Sequence, residues 1–261
     1  MNSPSVTSQA VALTRAGLDR RPHSPAGDPG AQLALCEGMR FTPPAWLRPG
    51  IAARTSFVDD QVLAAIAAGL RQVVICGAGY DDRALRFRTA GVRFLELDHP
   101  ATQADKARRL RAMGAGQPDV TLVTADFRTD DIGAVLGRSG HDSGIPSLFI
   151  AEGLLVYLDR RTCHRLLVAL ASRAPAGSVL AASLATHSDG LDSDEVVAAA
   201  NARRRTGAVE PWRTILPAAE HLELLAAAGW SVTATAESPV PATDVSHGRR
   251  SLLVTAVPAT S

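Results

Sequence analysis

Short apolar runs alternate with amphipathic segments along most of this chain. Runs at 73–76, 92–98, 120–125, 147–151, 178–184, 230–236 and 251–257 are rich in Val, Ile, Leu and Ala and read as strands. Between them the apolar spacing turns helical. From Tyr80 onward Ala84, Leu85 and Phe87 share one side, and Arg83, Arg86 and Arg88 are expected at the solvent. Further helices are expected at 101–113, at 130–136, after the N-cap Asp159 to about Arg173, and at 217–228, where Gly229 ends the last. Ahead of the first strand, 9–18 and 31–39 read as short helices and 51–69 as a long one, with Phe57, Val58, Val62, Leu63 and Ile66 on its apolar side. Trp46, in the proline-rich break at 42–49, is expected to plug against the core. Residues 1–70 thus form an N-terminal helical cap before a domain at 71–261. The alternation lapses at 185–216, which is polar, with a helix at 194–205 and an isolated Trp212. The pattern predicts a doubly wound α/β fold. Its sheet has six or seven mostly parallel strands, and an insertion after the fifth strand hangs over the carboxyl edge.

Composition narrows the classes. The 261 residues carry 27 Lys+Arg and 26 Asp+Glu, so neither a nucleic-acid nor a membrane-surface partner is implied. Clusters such as Arg108-Arg109 and Arg203-Arg204-Arg205 read as solvated helix faces. Cys36, Cys76 and Cys163 are odd in number and widely spaced, which points to reduced thiols and a cytoplasmic location. The first thirty residues lack the apolar run of a signal peptide, and no stretch approaches a membrane span.

The candidate chemistry lies at the strand ends, where open α/β sheets bind ligands. The first strand ends in Gly77-Ala78-Gly79, a turn that lets a ligand approach bare backbone. A dinucleotide fingerprint would place a third glycine three residues further on, where this chain has Asp82. Asp81 and Asp82 would repel phosphate and attract a cation. That favours S-adenosyl-L-methionine, which has an ammonium, a sulfonium and no phosphate, over a dinucleotide. The second strand ends with Glu96 and Asp98, spaced 19 and 21 residues after Gly77, where an acid accepts bonds from ribose hydroxyls. The third leads to Asp126, placed to accept from an adenine amino group, with Phe127 to cover the ring; the fourth leads to Glu152-Gly153. Any one of these could be an ordinary turn residue, but four strand ends in succession are harder to dismiss. Tyr157 and His187 lie near strand ends four and five and are the candidate catalytic residues. The histidines have no metal-ligand spacing, and neither a Gly-x-Ser-x-Gly elbow nor a Gly-x-x-x-x-Gly-Lys element is present.

Five segments taken together resemble the leucine carboxyl methyltransferase-like family of S-adenosyl-L-methionine-dependent enzymes. They are Ala-Ala-Arg-Thr-Ser-Phe-Val-Asp-Asp around Arg54, Gln-Val-Val-Ile-Cys-Gly-Ala-Gly-Tyr-Asp-Asp-Arg, Phe-Leu-Glu-Leu-Asp-His-Pro with Lys106 beyond it, Asp126-Phe127, and Ala-Glu-Gly-Leu-Leu-Val-Tyr-Leu at 151–158. The resemblance spans 50–185, and Ala-Ala-Ala-Gly-Trp ending at Trp230 is similar too. It implies a class I methyltransferase sheet of seven strands. It also implies Arg54 on the cofactor carboxylate, Gly77 against the methionine portion, Asp98 on the ribose, Asp126-Phe127 on the adenine and Glu152 facing the amino group. Arg15 is a second carboxylate ligand on this reading; the alternative is an exposed helix arginine. The implied activity is O-methylation of a carboxylate or hydroxyl on a small metabolite such as an aromatic polyketide. The insertion, with Trp212 and its arginines, would serve as a lid over the acceptor. An NAD-dependent oxidoreductase and a non-catalytic S-adenosyl-L-methionine-binding protein are the alternatives.

Overall fold

The computed structural model describes residues 3–20, 23–114, 120–203, 210–240 and 248–260, with the side chain of Arg203 left aside. Its centre is one sheet of β1 (Gln72–Cys76), β2 (Arg93–Asp98), β3 (Val120–Thr124), β4 (Ser147–Ala151), β5 (Val179–His187), β6 (Leu216–Pro217), β7 (Trp230–Glu237) and β8 (Arg249–Pro258). The main path runs β3-β2-β1-β4-β5-β8-β7, and the two-residue β6 pairs with the end of β5. Strands β3 to β5 are parallel along this path; β8 enters antiparallel between β5 and β7. The order reverses between β1 and β4, and that switch point opens a crevice at the carboxyl edge.

The central strands are apolar at successive positions because both faces are covered. Val74, Cys76, Leu97 and Phe149 pack on one face with Leu166 and Leu170 of α7 (Arg160–Ala171) and Leu225 of α9 (Ala218–Ala227). Val73, Ile75, Leu148 and Ile150 pack on the other with Val58 and Val62 of α3 (Arg48–Ala67). The helices α1 (Val6–Ala16) and α2 (Ala31–Leu35) precede α3, and α1 is capped by Ser5, whose side chain accepts from the Ser8 N–H. Among the described residues no helix is long and apolar enough to cross a membrane, and all three cysteines are buried free thiols.

Strands and main helices fall within a few residues of the expected bounds, but three features differ. Trp46 sits in a 3-10 turn, Ala45–Leu47, and is 52% exposed, so it does not plug the core. The helix expected from Tyr80 contracts to α4 (Arg83–Arg86), and Arg83 and Arg86 are buried by ion pairs rather than open to solvent. Strand β5 runs on to His187, past the expected end at Leu184, because its last residues pair with Arg249 and Arg250 of β8 and with β6; the insertion therefore begins later, while its helix α8 (Ser193–Arg203) falls within two residues of the expected bounds.

Candidate functional site

A cavity of about 520 Å³ lies over the carboxyl ends of β1 to β4 and is covered by the start of α1. Its floor is the turn after β1. Gly77 and Gly79 have φ of 69° and 52°, a region where side chains strain the backbone. A Cβ on Gly77 would meet Leu154 at 3.0 Å, and one on Gly79 would come within 2.9 Å of Ser8. Ala78, the smallest side chain possible between them, is buried. The Gly77 and Ala78 N–H groups donate to the Leu97 carbonyl at 2.8 and 3.0 Å, which ties the turn to the end of β2.

Asp98, the last residue of β2, accepts from the N–H of Gly79 and of His99, both at 2.7 Å. Burial pushes its carboxyl up, and the two N–H bonds only partly offset this. Beyond β3 the Asp126 carboxylate accepts from the Arg128 backbone and guanidinium, and these bonds hold it below the usual range. Phe127, 8% exposed, adds an aromatic wall.

At the other end of the cavity a cluster of charges meets. Glu152, beyond β4, takes Arg54 Nε at 3.1 Å on one oxygen and Arg15 Nη2 and Arg83 Nη1 at 2.7 and 2.9 Å on the other. Burial alone would push Glu152 up, but Arg15, Arg83 and Arg54 outweigh it and hold the carboxyl at about 2. Asp81 is held lower still, chiefly by Arg83 and Arg15 working against its burial. Arg83 also bonds Asp59 of α3 at 2.7 Å, so one guanidinium joins α3, α4 and the β4 end. Arg54 alone of the three guanidiniums on Glu152 keeps appreciable exposure, 25%, and it rests against Gly153, whose φ is 65°.

The cavity therefore brings together Arg15, Arg54, Gly77, Ala78, Gly79, Asp98, Asp126, Phe127, Glu152, Gly153 and Tyr157. It does not include two of the residues expected from sequence. Glu96 lies two positions inside the end of β2, where α5 (Pro100–Ala112) covers it, and its carboxylate pairs with Lys106. His187 is 3% exposed, tied to Ser193 Oγ and the Ser188 carbonyl at 2.8 Å, and does not line the cavity. Arg15 is buried against Asp81, Glu152 and Thr55, which disposes of the exposed-helix alternative. In the insertion, Arg204 and Arg205 lie outside the described residues. Trp212 stacks on Arg249, 4.0 Å from its guanidinium carbon, while Glu210, Pro211 and Arg213 of the same segment line the cavity. Thr55 and Asp59 of α3 have no role predicted from sequence, since each acts through a contact distant in the chain: Thr55 with Arg15, Asp59 with Arg83.

The fold is that of the class I methyltransferases. A methyltransferase candidate from Thermobifida fusca superposes over all of this chain and 97% of its own with a TM-score of 0.63, at 18% identity. Residues 30–171 match the leucine carboxyl methyltransferase family. An S-adenosyl-L-methionine-dependent methyltransferase candidate of a Mycobacterium species (strain JLS) is 34% identical over 238 residues, 81% of this chain and 75% of its own length. A similarly named candidate from Streptomyces avermitilis is 40% identical over 136 residues, 51% of this chain. That match spans only 48% of the Streptomyces protein. The chain belongs to the leucine carboxyl methyltransferase family. Both relatives are named as S-adenosyl-L-methionine-dependent.

The donor set fits that cofactor. An acidic end (Asp98, Asp126) suits hydroxyl and amino donors, and an exposed guanidinium (Arg54) suits a carboxylate. Of the two acids expected to draw a cation at the turn, only Asp81 lines the cavity; Asp82 is buried against Arg20 and does not line it.

Proposed function

We propose that this chain is an S-adenosyl-L-methionine-dependent O-methyltransferase that acts on a carboxylate or hydroxyl of a small metabolite, such as an aromatic polyketide. The observation that carries the reading is that a single cavity gathers the ends of β1, β2, β3 and β4, with a carboxylate or glycine at each. Bound there, the cofactor supplies a methyl group activated on sulfonium. Asp98 would accept from the ribose hydroxyls, Asp126 from the adenine amino group, and Phe127 would cover the ring. Arg54 would take the methionine carboxylate on its Nη groups while Glu152 holds its Nε, and Arg15 acts through Glu152 rather than as a direct ligand.

Methyl transfer needs donor and acceptor held in line, and such orientation supplies roughly 7–11 kcal/mol. A carboxylate acceptor is already ionised at neutral pH. A phenol, with a pKa near ~10, would gain from a hydrogen-bonding partner. Tyr157 lines the cavity and is the candidate for that contact; His187 does not line it and is tied to Ser193, which favours Tyr157. The segment 185–216 as an acceptor lid is supported by Glu210, Pro211 and Arg213 at the cavity wall. Such a wall excludes water from the reacting atoms.

Calorimetry with S-adenosyl-L-methionine, S-adenosylhomocysteine and NAD tests the cofactor, and mass spectrometry with a panel of aromatic acids and phenols tests the acceptor. A mass gain of one methyl group on an acid or phenol is expected. Binding of NAD with none of S-adenosyl-L-methionine would overturn the reading; cofactor binding without transfer to any acceptor would reduce it to a binding protein.

A further inference from the structure

Four arginines line the cavity, and three of them are matched by a carboxylate. Arg15 and Arg54 meet Glu152 at 2.7 and 3.1 Å, and Arg128 meets Asp126 at 3.2 Å. The fourth, Arg213, is exposed and forms no ion pair among the described residues. Asp159, the N-cap of α7, is served chiefly by the Thr162 N–H at 2.8 Å, and Arg213 lowers its carboxyl less than that bond does. The Arg213 backbone is fixed even so. Its N–H donates to the Val156 carbonyl at 2.7 Å, Thr214 Oγ1 donates to the Leu158 carbonyl at 2.6 Å, and Thr214 and Ile215 are buried. The two carbonyls flank Tyr157. Arg213 and Tyr157 thus stand on segments tied to each other and line the same cavity, and neither belongs to the set proposed for the cofactor.

Which group Arg213 would hold follows from the change of charge in the reaction. Methylation turns a carboxylate into a neutral ester. A guanidinium on the attacking carboxylate would hold it more tightly before transfer than during it, and so would raise the barrier. A carboxylate elsewhere on the acceptor keeps its charge throughout, and an arginine binds it there without that penalty. Glu210, on the same wall and also without an ion pair among the described residues, can accept from a hydroxyl and would repel a second acid. Leu154, Leu158 and Pro211 offer apolar surface to the carbon skeleton.

We propose that Arg213 sets the acceptor specificity, and that the acceptor is a hydroxy acid whose carboxylate pairs with Arg213 while its hydroxyl is methylated. The hydroxyl oxygen takes the methyl group in place of its proton, which leaves to water. The carbon–sulfur bond breaks with its electron pair on sulfur, and S-adenosylhomocysteine is released. The proposal rests on the methyl-transfer reading and narrows its acceptor from a carboxylate or hydroxyl to a hydroxyl.

The test is methyl transfer from S-adenosyl-L-methionine to 4-hydroxybenzoate, to its neutral counterpart 4-hydroxybenzamide and to benzoate, with calorimetry of S-adenosylhomocysteine alongside. The parent should prefer 4-hydroxybenzoate to the amide by at least about tenfold in kcat/KM and leave benzoate unmethylated. The transferred methyl group should survive alkali, as an ether does and an ester does not. Arg213→Gln should bring acid and amide to within about threefold of each other, through a higher KM for the acid, and should leave S-adenosylhomocysteine affinity within about threefold. Arg213→Lys should keep part of the preference, since it keeps the charge and loses the fork of donors. An alkali-labile product, transfer to neither phenol, or a preference that Arg213→Gln leaves intact would each overturn the assignment while S-adenosylhomocysteine still binds. No binding of S-adenosylhomocysteine by the parent would instead overturn the methyl-transfer reading beneath it.

Discussion

Arg54 reaches from α3 to Glu152 at the end of β4, its Nε 3.1 Å from Oε1, and its guanidinium rests against Gly153. One carboxylate thereby orients the most exposed of the guanidiniums around it, and the other two, Arg15 and Arg83, are spent on holding that carboxylate. The arrangement separates an arginine that would bind ligand from two that support it.

Arg54→Ala should therefore weaken S-adenosyl-L-methionine binding by tenfold or more, about 1.4 kcal/mol, and weaken an analogue lacking the carboxylate by much less. Lysine should not restore the loss, because a point charge cannot offer the same fork of donors. Calorimetry on both ligands reads the difference. Equal losses for the two would show that Arg54 acts through the fold.

Asp98 and Glu96 share one strand and part company in what they do. Asp98→Ala should reduce S-adenosyl-L-methionine affinity by roughly 1–3 kcal/mol, the cost of leaving its hydroxyl partners unpaired, with a small change in melting temperature. Glu96→Ala strands Lys106, 1% exposed, without its counter-charge. That should cost roughly 3–5 kcal/mol of stability and leave the affinity of the folded fraction within threefold. Paired melts and titrations measure both. A ligand-binding defect confined to the Glu96 variant would reverse the assignment.

The contrast also marks how far the sequence could be read. Strands and their order of chemistry were legible because a buried parallel strand leaves a compact apolar run, and because ligands collect at strand ends whatever the family. Spacing from Gly77 suggests that Glu96 lies near the ligand, whereas the pleat and Lys106, ten residues on, place it under α5. A helical pattern scores charge as exposure, which puts Arg83 and Arg86 at the solvent. Their partner Asp59 lies more than twenty residues earlier, on another helix, and leaves no local signal. Residue type alone suggests a plug at Trp46, and proline-bounded turns carry no information about what they face.

The last prediction concerns acid. Glu152 is held at about 2 in the fold against an ordinary value of 4.5, and Asp81 is depressed in the same direction. A carboxyl depressed by folding contributes stability that is present above its unfolded value and lost as pH falls through its folded one. For Glu152 the window is from about 4.5 down to about 2, and the contribution is on the order of 3 kcal/mol. Asp98, raised by burial, runs the other way: it detracts from stability at neutral pH and ceases to do so as it is protonated. Glu152→Gln keeps the shape of the side chain and removes the charge. It should lower the melting temperature at pH 7, since Arg15 and Arg83 lose a buried partner, and should make the decline between pH 4.5 and 3 shallower than in the parent. Melts across that range in both proteins read the slope directly. Parallel curves, offset but equally steep, would mean that Asp81 and other carboxyls carry the acid response and that Glu152 titrates no differently folded than unfolded.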